Sequence, residues 1–164
     1  MPYLLDANVF MEAKNRYYGF DFCPAFWEWL IVKNSAGIVF SVEKVSDEIV
    51  AGHDELSTWA AQRGSEFFLA PDEAVSSAFS DVSIWTTSQG YSQSEVTKFL
   101  GGADPFLVSH ARAYGHIVVT HERREDLSKK IKIPNVCLGL GAKWMTPFEM
   151  LRLEGGRFIL DHRP

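Results

Sequence analysis

Five oxygen-bearing side chains are spaced so that a fold could gather them. Asp6 closes the apolar run Tyr3-Leu4-Leu5, and Asn8 follows two residues later. Glu122 follows the apolar run HIVVT, Asp104 opens the amphipathic stretch that feeds that run, and Glu48 lies just after GIVFS. Carboxylates gathered at one point repel each other and raise each other's pKa. A hard divalent cation such as Mg2+ or Mn2+ removes that penalty. It prefers oxygen ligands and keeps several waters when only a few carboxylates bind it. One such ion lowers the pKa of a bound water, and a second at about 3.5–4 Å stabilises the leaving oxygen in phosphodiester cleavage. No Ser-His-Asp or Cys-His arrangement stands out as a rival chemistry.

For these groups to meet, strands must end beside one another. The sequence predicts strands at 3–5, 37–41, 66–70, 116–120 and 136–138 from short apolar runs bounded by turn residues. Helices are predicted at 7–14, 24–32 (Pro24 in the first turn), 42–51, 54–63, 72–85, 92–100, 104–114 and 146–153. Residues 17–23 read as an irregular aromatic stretch, and 123–132 as a polar, basic connection. Strands alternating with helices predict an α/β fold with a central, mainly parallel sheet. In such a sheet ligands bind beyond the carboxyl ends of the strands, where Asp6, Asn8 and Glu122 fall.

With 164 residues the chain is expected to form one domain, spanning 1–164. An apolar share of 46% against 23% charged is that of a globular chain, which excludes a disordered one. The net charge of −5 makes it a poor generic polyanion binder, so a nucleic-acid role requires a local basic surface or bound cations. That surface is expected at Arg123, Arg124, Lys129, Lys130 and Lys132. Cys23 and Cys137 are too few for a disulfide framework or a cysteine zinc cluster and read as buried thiols. The histidines, at 53, 110, 116, 121 and 162, form no i, i+4 ligand pair. No run approaches the roughly 18 apolar residues of a membrane span, and MPYLLDANVF lacks a signal peptide's basic start, so a cytoplasmic protein is expected.

Taken together, the acidic stretches resemble the motifs of the PIN-domain nucleases. YLLDANVF is similar to the first motif, VEKVSDEIVAG to the second, GGADPFLVSHARAYG to the third and HIVVTHE to the fourth. The aromatic stretch YYGFDFCPAFWEWL resembles a less-characterised branch of that family. The resemblance implies a PIN-like three-layer α/β/α fold. It also implies a Mg2+- or Mn2+-dependent endoribonuclease, often the toxin of a VapC-like toxin–antitoxin pair, with an antitoxin partner and in many cases a homodimer. By position it carries catalytic roles onto Asp6, Glu48, Asp104 and Glu122, metal binding onto Asp6, Asp104 and Glu122, and a supporting role onto Asn8. The chain departs from the family pattern at Glu122, where an Asp is frequent, and at HERREDL, where Asp126 is a substitute for a missing acid.

Several readings stay open. Asp6 and Asp104 also suit helix caps, and Glu122 suits an exposed strand end. On a helical wheel Glu48 and Glu43 border the Val42, Val45, Ile49 stripe on opposite sides, about 140° apart, so geometry does not choose between them. Trp27 and Trp29 read as core or interface ahead of a base-stacking surface. His121 reads as a surface histidine, with substrate contact as the alternative. Two further functions compete: a binding module that kept the fold and lost catalysis, and a haloacid-dehalogenase-type phosphatase, which wants an acid where Asn8 stands.

Overall fold

A computed structural model describes residues 1–161, so His162 lies outside the described residues. Its strands are β1 (Tyr3–Leu5), β2 (Val39–Val42), β3 (Phe68–Leu69), β4 (Ile117–Val119) and β5 (Lys143–Met145). They form a single parallel sheet in the order β3-β2-β1-β4-β5. Leu4 and Leu5 on β1 and Val118 and Val119 on β4 have no measurable exposure, as expected of central strands covered on both faces.

Right-handed crossovers decide which face each helix covers. From β1 to β2 to β3 the chain moves one way across the sheet. This places α1 (Ala7–Glu12), α2 (Pro24–Ser35), α3 (Glu43–Val50) and α4 (Glu55–Ala61) on one face. From β3 the chain returns past β1 to β4 and β5. The opposite face therefore receives α5 (Glu73–Ser88), α6 (Gln93–Leu100), α7 (Asp104–Tyr114) and α8 (Ile133–Leu140). The packing agrees, since α5 rests on α7 and α8 while α3 rests on α4 and α1. The last helix is α9 (Pro147–Leu153), started by a Thr146–Glu149 capping box. The three-layer α/β/α fold with a parallel sheet stands as the sequence predicts. No helix among the described residues is long and apolar enough to cross a membrane.

Three segments differ from expectation. Residues 136–138 are not a strand; they lie inside α8, which Pro134 starts and Gly141, at φ 71°, ends. A short apolar run cannot by itself distinguish a strand from a buried helix. The true last strand, β5, is an edge strand with an exposed lysine and two half-buried side chains, so it carries no apolar run. Beyond α1 the chain winds on through a π-helical turn, Ala13–Tyr17, before the irregular aromatic segment begins. On α2, Trp27 is core, stacked on Phe20 at 4.0 Å and edge-on to Trp59 at 5.0 Å, while Trp29 is half-buried. Cys137 is buried and Cys23 half-buried, and both are free thiols.

Candidate active site

β1 sits between β2, its successor in the chain, and β4, so the sheet's order reverses between β1 and β4. A crevice opens beyond the strand ends at such a point. Asp6 stands there, 4% exposed, with its amide donating to the Val119 carbonyl at 2.9 Å. It occupies the N-cap position of α1 without making a side-chain capping bond. Its Oδ2 instead accepts from the Thr120 hydroxyl at 2.8 Å. That hydroxyl also accepts from Asn8 Nδ2 at 3.2 Å and from the Glu122 amide at 3.0 Å, so its hydrogen-bonding capacity is filled. Asn8 Oδ1 takes the His121 amide at 3.2 Å. Thr120 therefore ties Asp6, Asn8 and the turn after β4 together. Sequence reasoning missed it, although the buried hydroxyl ending HIVVT was the available signal.

Asp104 is the first residue of α7, with Ala103 in the N-cap position, so it is not the cap. Among the described residues nothing hydrogen-bonds its carboxylate. Glu48 Oε1 accepts from the Ala103 amide at 3.1 Å and thereby secures the start of α7. Glu48, Asp104 and Glu122 line one cavity of about 350 Å3, joined by Lys98, Lys130 and Lys132. Glu43 does not line it. Lys98, on α6, was not anticipated; its position after β3 gave no hint that it would face the acids.

Electrostatics marks the same group of residues. Burial, with the charges of Glu122 and Glu48 adding to it, raises the Asp6 pKa to about 7 against the lowering effects of the Thr120 hydroxyl and the Ala7 amide. Burial, then the charges of Asp6, Glu122 and Glu48, raises that of Asp104 to about 8, with Lys132 opposing. Two carboxylates so coupled titrate as a pair. An all-oxygen, mutually repelling donor set suits a hard divalent cation.

The resemblance expects Asp6, Asp104 and Glu122 to hold the metal. Among the described residues no three His, Cys, Asp or Glu side chains converge closely enough to hold an ion. Glu122 explains this: its Oε2 accepts from the Ile133 amide at 2.7 Å, at the start of α8. Asp6 and Asp104 are the two carboxylates whose pKa values burial and the surrounding acids raise, and oxygen donors of that kind suit Mg2+, which keeps several waters when bound. Nor is Asp126 a substitute acid, because it is doubly bonded to Arg124 (2.8 and 2.9 Å) on an exposed loop.

The basic run does not act as one patch. Lys130 and Lys132 face the acids, and Arg123 lies on the other side of Glu122. Arg124 is paired with Asp126, and Lys129 lines a separate cavity with Trp85 and Tyr91.

A family model described as a domain of unknown function, DUF4411, matches residues 3–158. No curated protein matches the sequence. Among solved structures, a chain of VapBC2 from Rickettsia felis, crystallised bound to a DNA fragment from their promoter, superposes with a TM-score of 0.54. The two are 12% identical, and the match covers 89% of this chain and 98% of the other. At that identity the likeness shows the fold, which is the PIN-like α/β arrangement.

Proposed function

The chain belongs to the DUF4411 family, and we propose that it is a cytoplasmic, metal-dependent endoribonuclease of PIN type. The observation that carries this reading is the gathering of four acids beyond the strand ends: Glu48, Asp104 and Glu122 line one cavity, and Asp6 shares the Thr120 hydroxyl with the Glu122 amide. Asp6 and Asp104 are both held above the ordinary carboxylate range, with Glu48 and Glu122 adding charge. When bound, Mg2+ or Mn2+ supplies an activated water and charge neutralisation at the phosphodiester. The chain's own side chains do the rest. Thr120 and Asn8 fix Asp6, Glu48 fixes the helix that presents Asp104, and Lys98, Lys130 and Lys132 draw the RNA phosphates toward the acids. The resemblance to VapC-like toxins extends the proposal to a toxin–antitoxin pair in which a partner protein covers this crevice.

Labelled RNAs incubated with the purified protein test the reading. Cleavage should require Mn2+ or Mg2+, cease in EDTA and be absent from Asp6→Asn and Asp104→Asn, both of which remain folded by circular dichroism. Full activity of both variants would sink the assignment. One observation favours a second reading, a binding module without catalysis: Glu48 and Glu122 each commit an oxygen to a backbone amide. RNA bound with the same affinity in Mn2+ and EDTA, and never cut, would select it.

A further inference from the structure

Glu122 lines two cavities. One holds the acids and lysines already described. The other, of about 430 Å3, lies on the opposite side, where Asn8 and Glu122 meet an aromatic cluster. There the Tyr17 ring stacks on His121, centroids 5.7 Å apart and planes 23° from parallel. Phe148 stands edge-on behind both, at 5.1 Å from Tyr17 and 5.6 Å from His121. Core aromatics are buried, but Tyr17 is 43% exposed. It is carried there by the π-helical turn, whose extra residue re-aims the side chains that follow α1. Arg16 and Arg123, both exposed, stand at the rim. Arg16 pairs with Glu12 at 3.2 Å, but a surface pair of that kind is weak and leaves the guanidinium free to exchange partners.

Partly exposed aromatic rings bordered by arginines are how single strands are held without base-pair readout, with bases stacked and phosphates paired. We propose that Tyr17, His121 and Phe148 form a nucleobase subsite for single-stranded RNA, adjoining the acid cluster, with Arg16 and Arg123 meeting the neighbouring phosphates. The proposal rests on the ribonuclease reading of the acid site and gives the substrate a path across it. Phosphates meet the lysines on one side of Glu122, and a base stacks on the other.

The test is fluorescence anisotropy of the full chain with a fluorescein-labelled, single-stranded, twelve-nucleotide RNA of random sequence, in EDTA so that nothing is cut. Tyr17→Leu keeps an apolar contact on Phe148 but removes the π face, and Tyr17→Phe restores it. Tyr17→Leu should weaken binding about 5- to 150-fold, the usual effect of losing one stacked base. Tyr17→Phe should stay near the wild type. With Mn2+ added, Tyr17→Leu should raise KM and leave kcat unchanged. Unaltered affinity in Tyr17→Leu, Tyr17→Phe as weak as Tyr17→Leu, or no RNA bound by the wild type would each overturn the subsite. Absence of cleavage by the wild type in Mn2+ would refute only the nuclease reading, because the metal-free comparison decides the subsite independently.

Discussion

Replacing Asp104 by Asn should make the metal-free protein more stable, and more so as the pH rises. Burial and three neighbouring carboxylates raise Asp104 from 3.8 to about 8. A folded-state pKa above the unfolded one means that the folded chain holds a proton the unfolded chain releases. The stability linked to Asp104 is therefore complete below about pH 4 and is lost as the pH climbs to about 8. From pH 5 up to the raised pKa of about 8 the loss runs over about three pH units, an upper bound of about 4 kcal/mol at 1.36 kcal/mol for each. Relaxation of the site and water entering it reduce this to about 1–3 kcal/mol. For a chain of this size each kcal/mol moves Tm by about 2–4 °C, so the Asn variant should gain about 3–10 °C on the wild type between pH 5 and pH 9. Thermal unfolding followed by circular dichroism in EDTA measures it. Saturating Mn2+ should reverse the order, since an ion at a hundred times its Kd adds about 2.7 kcal/mol to the chain that binds it. A Tm difference unchanged between the two pH values, or an Asn variant that is less stable at pH 9, would refute the argument that like charges are held together here.

Two neighbours give predictions of opposite sign. Thr120→Val removes the donor that lowers the Asp6 pKa, so the pH at which Mn2+ binding reaches half its maximum should move up by about half to one unit. It should also cost about 1–3 kcal/mol in urea unfolding, because the Asn8 amide and the Glu122 N–H lose their acceptor. Glu122→Gln removes a charge that raises both aspartates but keeps a carbonyl for the Ile133 amide. Its Mn2+ titration should therefore move to lower pH with stability nearly unchanged, and a shift to higher pH would show that Glu122 does not act on the pair through charge.

What could be read from the sequence was what is local. The helix predicted at 104–114 has the same bounds in the structure because Pro105 presets its first turn and Gly115, at φ 70°, ends it in the left-handed region. Asp6 could be placed at a strand end because Tyr3-Leu4-Leu5 is apolar throughout, as a strand buried on both faces must be. What depends on contacts across the chain was not legible. Glu48 and Glu43 are equivalent on a helical wheel, and only long-range contacts, the Ala103 amide 55 residues from Glu48 and the cavity Glu48 lines, separate them. The residues from 123 to 132 look like one basic patch in the sequence, yet the loop turns them toward three cavities and an acid of their own.

Glu122 is where local and long-range effects meet. A Glu in place of an Asp looks like a defect in a metal site, since its carboxylate lies one methylene farther from the backbone. In the folded chain it meets the first amide of α8, where the unpaired N–H groups of a helix start favour an anion. The same residue thus anchors α8, which fills one face of the sheet, and holds negative charge beside Asp6 and Asp104. Its departure from the pattern is met by that second contact, and the proposed metal site rests on the two aspartates. The nuclease reading therefore depends on the Asp6–Asp104 pair. Glu122→Gln should keep metal binding, whereas Asp6→Asn should abolish it.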